Sequence, residues 1–163
     1  MTREEKLDLI AGLEGAYSRV DALLEGAGSE ERAFVPPLRD AWSIDDFLVH
    51  FLDADLSLCF RLRSAVAEPG KNVPLWDEVA WHGELRYGAH DGPACLGLAK
   101  SLRSFVAAGL RAVVDEDWST YRVVHETKGE LSLEDLVAMY AEHIAFHLPL
   151  IKRNRLAWQS RKV

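Results

Sequence analysis

The amino-acid sequence predicts an all-α protein, a four-helix bundle with long connections. Four segments carry apolar residues at the spacing of a helix face, and no group of alternating segments large enough for a sheet accompanies them. The chain has 163 residues, which suits one domain over residues 1–163. A domain of this length buries enough surface to fold without a disulfide or a metal ion.

The first helix is predicted over residues 4–25. Its apolar face recurs at intervals of three and four residues and consists of Leu7, Ile10, Leu13, Tyr17, Val20 and Leu24. Gly26 and Gly28 end this segment, and Pro36 and Pro37 exclude helix from the connection that follows.

The second helix is predicted to begin after Ser43, because Ser43 and Asp46 have the spacing of a capping box. Its buried side consists of Phe47, Phe51, Leu52, Leu58, Leu62 and Val66. The sequence Glu68-Pro69-Gly70 ends it.

Residues 69–92 are interpreted as a long connection with a short helix near residues 76–86, and a connection of this length is often functional. The third helix is predicted over residues 93–114, with a proline suited to its first turn. Its inward face is predicted to contain Leu96, Leu98, Leu102, Val106, Leu110 and Val113.

Residues 118–131 have strand-like valines, but a lone strand has nothing to pair with. We therefore expect an irregular connection that ends at Gly129. The fourth helix is predicted over residues 132–154, capped by Ser132 with Asp135.

The charge and composition exclude several classes of protein. The net charge is −7, with 26 acidic against 19 basic residues, which argues against a nucleic-acid partner. No apolar run approaches the roughly 18 residues of a membrane span, and the polar beginning of the chain is not a signal peptide. Cys59 and Cys95 form no disulfide framework. A cytoplasmic protein with reduced thiols is expected.

Two histidines interrupt the apolar stripe of the fourth helix. The stripe runs through Leu133, Leu136, Tyr140, His143, His147 and Leu150. A single inward histidine is usually a neutral residue held by a hydrogen bond, whereas two that are one turn apart can hold a metal ion.

His50, at the edge of the apolar face of the second helix, is the candidate third ligand. Asp53 and Asp46 lie three and four residues away, and either can orient the His50 ring or be merely solvated. The other histidines fall in predicted connections and are expected at the surface; they are His82, His90 and His125.

Familiar catalytic motifs are missing from the sequence. Ile144 stands where the zinc peptidase motif H-E-x-x-H has its glutamate, which argues against a peptidase. No Glu-x-x-His pair of a di-iron bundle, glycine-rich phosphate loop or G-x-S-x-G turn occurs either.

Two stretches resemble the DinB/YfiT-like superfamily. The first, AWSIDDFLVHFLDADLSLCFRLRSAV (residues 41–66), matches the family's Trp, His, acidic pair and Arg with Trp42, His50, Asp53, Asp55 and Arg61. The second, HETKGELSLEDLVAMYAEHIAFHLPLI (residues 125–151), matches its run through His125, Gly129, Leu133, Tyr140, Ala141, His143 and His147.

A weaker match is PLWDEVAWHGEL (residues 74–85), and the span over which these pieces occur in order, residues 41–151, covers about two thirds of the chain. The sequence departs from the pattern at Ala145-Phe146, where an additional histidine is frequent, and at Glu142, where Trp is frequent. These departures leave the three proposed ligands intact and put the substrate in question.

The resemblance implies a four-helix bundle with one divalent ion held by His50, His143 and His147. Three imidazoles with an open position are typical of a catalytic site, and zinc and nickel both suit nitrogen ligands. The ion would lower the pKa of a bound water or thiol.

Two enzymatic activities follow from the resemblance. The favoured one is transfer of a low-molecular-weight thiol of the bacillithiol type, a cosubstrate, to an electrophilic small molecule. The alternative is hydrolysis of a small substrate, for which Asp53 is the only proton-transfer candidate near His50. A third hypothesis is a stress-induced binding protein without turnover. A homodimer formed through a helix face is a further expectation.

Three more residues are candidates for contact with a substrate. Arg61 follows His50 by 11 residues on nearly the same face, and it can bind a carboxylate of the thiol or form an ordinary ion pair. Trp81 and Tyr140 can wall the pocket or simply belong to the core.

Overall fold

The computed structural model describes residues 1–162. Its helices are α1 (Arg3–Gly15), α2 (Ser18–Leu24), α3 (Ser29–Ala33), α4 (Ile44–Ala67), α5 (Glu78–Glu84), α6 (Gly92–Ala112) and α7 (Leu133–Gln159). Short 3₁₀ turns occupy Tyr87–Ala89, Trp118–Thr120 and Ser160–Lys162. The long helices α4, α6 and α7, together with α1 and α2, form the predicted four-helix bundle.

Capping boxes begin the two helices that carry the candidate ligands. Ser43 accepts a hydrogen bond from the backbone N–H of Asp46, whose carboxylate accepts one in return from the N–H of Ser43. Ser132 and Asp135 repeat this arrangement at the start of α7. Both predicted starts are confirmed, and the caps fix where each helix begins.

The predicted first helix is interrupted. α1 ends at Gly15 and α2 begins at Ser18, whose hydroxyl donates to the Gly15 carbonyl at 2.8 Å. This side-chain bond takes an acceptor that a continuous helix would use. The break sends Tyr17 into the core, where its hydroxyl donates to Asp55 at 2.6 Å.

The prediction of an irregular connection over residues 118–131 is wrong. This part of the chain contains β2 (Arg122–His125) and β3 (Gly129–Ser132), which pair antiparallel, while β1 (Lys71–Val73) pairs parallel to β2. The valines have two partner strands. One is β3, only a few residues later in a hairpin, and the other is β1, some 50 residues earlier in a stretch too short to show alternation.

The core forms two packed clusters along the bundle. The sheet covers one of them, in which Val73, Trp118 and Val123 pack among residues of α1, α4, α6 and α7. The other cluster lies around Tyr17, Phe47 and Phe51. The candidate histidines sit between these clusters, beside Phe51.

One prediction about α6 needs correction, and one of its buried residues was not foreseen. Leu98, expected to face inward, is 58% exposed, since it lies on the outer side of the helix with Phe105. Arg103, which the pattern gave no reason to bury, is fully enclosed among four helices. In the described residues no helix has the length and apolarity that crossing a membrane demands.

Candidate metal centre

Three histidine rings from two helices meet inside the bundle. His50 lies in the second turn of α4, and His143 and His147 lie one turn apart on α7. Their Nε2 atoms form a nearly equilateral triangle, with His50 at 3.2 Å from both His143 and His147, and these two 3.1 Å apart. The structure thus brings the three predicted ligands together within the described part of the chain.

Hydrogen bonds among the three rings cannot explain this triangle. A neutral imidazole nitrogen either donates a proton or accepts one, so three Nε2 atoms in mutual contact leave at least one pair of like groups facing each other. One cation that receives three lone pairs removes this conflict. Ligand nitrogens about 2.05 Å from an ion stand roughly 3.3 Å apart in a tetrahedron and 2.9 Å apart at right angles. The observed spacings fall between these values.

Burial keeps the rings neutral, as metal ligands must be. Desolvation, with the neighbouring rings of His143 and His147, lowers the pKa of His50 to about 3. Desolvation and the positive charges of His147 and Arg103 lower the pKa of His143 to about 3, and desolvation alone lowers that of His147 to about 4.

The Nδ1 side of each of the three histidine rings lies in an apolar environment. With lone pairs on Nε2, each proton sits on Nδ1, and none of the three buried Nδ1 atoms finds a hydrogen-bond partner among the described residues. Aromatic rings surround them instead, with Trp42 edge-on to His50 and Phe51 edge-on to His147. Packing rather than hydrogen bonding therefore orients the ligands.

Neither of the two aspartates expected to orient the His50 ring does so, and neither lines the pocket next to the histidines. Asp46 caps α4 and lies 3.5 Å from His82 Nε2. Asp53, the candidate for proton transfer, accepts a short hydrogen bond from the Tyr87 hydroxyl, and burial raises the pKa of its carboxyl group. Although the two aspartates lie three and four residues from His50 along the helix, neither carboxylate bonds to the Nδ1 atom of its ring.

Glu78 is the carboxylate that does approach the triangle. Its Oε2 lies 3.8 Å from His50 Nε2, and its side chain is 55% exposed. It is the first residue of α5, which Asp77 caps by accepting from the N–H groups of Val79 and Ala80. The cap fixes the start of α5, which places Glu78 at the edge of the site.

A cavity of about 790 Å³ opens onto His50 and His143. Its walls come from α4, α7, the segment before α5 and the β2–β3 hairpin, and they include Arg61, Trp76, Glu78, His125, Tyr140 and Phe146. A volume of this size suits a small-molecule ligand. The histidine triangle is thus reachable from outside.

Trp76, rather than Trp81, is the tryptophan that lines the cavity beside His50. The Trp76 ring lies 5.4 Å from the His50 ring and lines the cavity, while Trp81 packs behind it at 5.0 Å and is 38% exposed. Tyr140 both lines the cavity and packs in the core, and its ring lies 6.3 Å from that of His143.

Arg61 also lines the cavity, 4% exposed. Its guanidinium donates to the Tyr140 hydroxyl and to the Pro74 carbonyl, each at 2.7 Å. Arg61 forms no ion pair with any described carboxylate, so the structure does not show the ordinary ion pair that was its alternative role.

His125, expected at the surface, is buried and lines the cavity. It ends β2, and its Nδ1 accepts from the backbone N–H groups of Thr127 and Lys128 in the hairpin turn, both at 3.3 Å. Gly129 closes that turn with a φ of 74°. His90 is exposed, as predicted, and His82 is half-buried against Trp42.

Glu78, Trp76 and His125 are the site residues that sequence reasoning missed. All three lie in the segments interpreted as connections. The length of residues 69–92 did indicate function, but only the folded chain shows which of its side chains face α4.

The sequence profile of the DinB superfamily matches residues 13–151. The fold is similar to the solved structure of YfiT from Bacillus subtilis, with a TM-score of 0.83 at 21% identity, covering 94% of this chain and 87% of that one. That structure is described as an unusual four-helix bundle topology. The fold comparison therefore supports the bundle and its connectivity.

Several bacterial proteins are similar in sequence. A Bacillus licheniformis protein is 24% identical over 149 residues, covering 88% of this chain and 85% of its own length. One from Geobacillus kaustophilus is 25% identical over 163 residues, covering 94% and 87%, and YfiT itself is 24% identical over 125 residues, covering 75% and 70%. All three are named as proposed metal-dependent hydrolases.

Proposed function

Because the chain belongs to the DinB superfamily, we propose that it is a metal-dependent hydrolase of a small-molecule substrate. His50, His143 and His147 hold the divalent ion through Nε2, and the pocket beside them receives the substrate. A bound zinc or nickel ion supplies Lewis acidity and makes a water nucleophilic at neutral pH.

The observation that carries this proposal is the carboxylate of Glu78 beside the histidine triangle. Glu78 accepts a proton from a water in the pocket at Oε2 and returns it to the leaving group, the ordinary work of a general base. Its side chain is half-exposed at the mouth of the pocket, within reach of such a water.

Hydrolysis has more support than thiol transfer. The sequence offers Asp53 as its only proton acceptor near His50, which favours transfer. Glu78 supplies another acceptor, and the relatives carry the names of hydrolases. Thiol transfer and binding without turnover become outcomes that the following experiments distinguish.

The first experiment measures metal content after loading with zinc or nickel and gel filtration. We expect about one ion per chain, and loss of the ion in His147→Gln, since two imidazoles bind far more weakly than three. His90→Gln, a matched change at an exposed histidine, keeps the ion. Full retention by His147→Gln contradicts the metal site.

The second experiment tests Glu78 with chromogenic esters and amides, in metal-loaded protein without added thiol. We expect Glu78→Gln to lower kcat about 10²-fold or more with the metal content unchanged. Glu84→Gln, the same change at the exposed end of α5, keeps full activity. Loss of the ion from Glu78→Gln identifies Glu78 as a ligand instead.

A panel of low-molecular-weight thiols with electrophilic acceptors completes the test. Turnover that requires a thiol, with none in its absence, contradicts the hydrolase and supports the transferase. A fully loaded protein that turns over neither panel supports the binding protein.

A further inference from the structure

The pocket contains a buried cation without a counter-ion. Arg61 is nine-tenths or more enclosed, and its only acceptors in the described chain are the Tyr140 hydroxyl and the Pro74 carbonyl. These use two of the five N–H groups of a guanidinium. Burial of a charge is costly unless it is paired, and here no described carboxylate pairs with it.

A second hydrogen-bond donor lies in the same pocket. Because the Nδ1 atom of His125 accepts from Thr127 and Lys128, its proton sits on Nε2. Burial and the neighbouring Arg61 lower the pKa of His125 and keep the ring neutral. The Nε2–H group has no acceptor among the described residues, so it is available to a ligand.

No described carboxylate pairs with Arg61, although several border the pocket, among them Glu142 of α7, which is exposed. Asp77 accepts from two backbone N–H groups at the start of α5, and Glu126 accepts from the Leu75 N–H at 3.0 Å. Glu78 stands next to His50 instead. The pocket therefore has a proton-accepting region at the histidines and a region of donors at Arg61 and His125.

Tyr140 connects the two regions. Its hydroxyl accepts from Arg61, and its ring lies 6.3 Å from that of His143, one turn along α7. Arg61, His50 and His143 line one cavity, so a ligand that fills it can touch the guanidinium and still reach the histidine triangle.

We propose that the pocket selects substrates that carry a carboxylate, which Arg61 and the Nε2–H of His125 bind while the bond to be cleaved faces the three histidines. The binding of the carboxylate follows from the two donors alone. The placement of the bond to be cleaved rests on the proposed hydrolase function. A planar fork of N–H groups matches a carboxylate. Arg61 is the one buried positive charge among the described residues that line the pocket, and it balances a monoanion; Lys128, which also lines the pocket, is exposed to solvent.

The experiment uses the full chain in EDTA, so that a carboxylate cannot bind a metal ion. Calorimetric titration compares phenylacetate with phenylacetamide, which has the same shape and no charge. We expect phenylacetate to bind at least tenfold more tightly, because only the carboxylate provides two anionic acceptors for the donors. Benzylphosphonate should bind more weakly than phenylacetate.

Variants locate the binding. Arg61→Gln should lose this preference for the acid, and Arg61→Lys should keep part of it. Arg63→Gln, the same change at an exposed position two residues away on α4, should leave it intact. His125→Gln tests the second donor, and a circular dichroism melt of each variant shows that it folds.

Equal binding of acid and amide, or an unchanged preference in folded Arg61→Gln, overturns the proposal. Tighter binding of the phosphonate overturns the assignment to a carboxylate. Because these titrations need no turnover, they succeed or fail independently of hydrolysis. A carboxylate site in a protein without hydrolase activity would therefore refute the proposed function and leave this inference standing.

Discussion

The burial of a side chain decides its role in this protein, as two of its histidines show. His90, exposed, is an ordinary surface histidine, whereas the same residue type at position 50 is fully buried against two others. The spacing of His143 and His147 on one helix face was visible in the sequence because α-helical geometry is regular. The approach of Glu78 was not, because it depends on how a connection folds over α4.

The buried histidines make the metal-free protein sensitive to acid. Their pKa values of about 3 to 4 lie below the 6.5 of an unfolded histidine, so the unfolded chain binds more protons as the pH falls below 6.5. In EDTA we therefore expect the free energy of unfolding to fall between pH 6.5 and 4, by up to about 1.4 kcal/mol per pH unit for each histidine. Urea unfolding at several pH values measures this slope.

His147→Gln provides the comparison for that slope. It removes one of the three titrating rings and leaves all carboxylates in place, so the slope should become smaller by the contribution of one proton. Parallel curves for the two proteins would show that the buried rings do not titrate in this range.

At the level of elements, helix starts were predictable and strand pairing was not. The sequence Ser-x-x-Asp determined where α4 and α7 begin, because a capping box is a local interaction. The sheet escaped prediction for two reasons. β2 and β3 form a hairpin of only four residues each, too short to show a clear alternation, and β1, the other partner of β2, lies far away in the chain. The break between α1 and α2 was hidden because Tyr17 continues the apolar stripe while serving as a buried hydrogen-bond donor.

The cap of α4 should contribute measurably to stability. We expect Ser43→Ala to lower the free energy of unfolding by about 1 kcal/mol, because it leaves the buried N–H of Asp46 without its acceptor. The metal content should not change, since His50 lies two turns further on. Denaturant titration measures the loss.

Ser101→Ala is the matched control for the cap. Ser101 lies exposed within α6 and donates to the Gly97 carbonyl at 3.0 Å, a bond that the helix does not need. Alanine has the higher helix propensity, so this variant should be as stable as the original or slightly more so. Equal losses in both variants would mean that the Ser43 cap has no special role.

At the scale of the whole molecule, one buried ion pair joins the helices of the bundle. Arg103 of α6 donates to both carboxylate oxygens of Asp55 of α4 at 2.8–3.1 Å, and also to the carbonyls of Leu13 and Tyr140. Tyr17 donates to the same carboxylate, with the guanidinium 4.6 Å above its ring. Four parts of the chain therefore meet at one fully enclosed charge pair.

Removing one partner of this pair should be severe. Arg103→Met leaves Asp55 buried and uncompensated, and we expect a loss of about 3–5 kcal/mol in the free energy of unfolding. Combining it with Asp55→Leu should restore much of that loss, because no unpaired charge remains. Thermal and denaturant unfolding of the single and double variants test this.

Arg111→Met, the same substitution elsewhere on α6, is the control for the ion pair. It breaks only the partly exposed contact with Glu14 and should cost less than about 1 kcal/mol. A comparable loss at both positions would contradict the assignment of Asp55 and Arg103 as the central pair.

The register of the small sheet has a consequence for the walls of the pocket. Val73 pairs with His125, so one pair of strands positions both the Pro74 carbonyl, which accepts from Arg61, and the His125 ring. The three candidate ligands stand on α4 and α7, while Glu78, Trp76 and His125 stand on the segments that connect the long helices. A change in these connecting segments can therefore reshape the pocket without touching the two helices that carry the histidines.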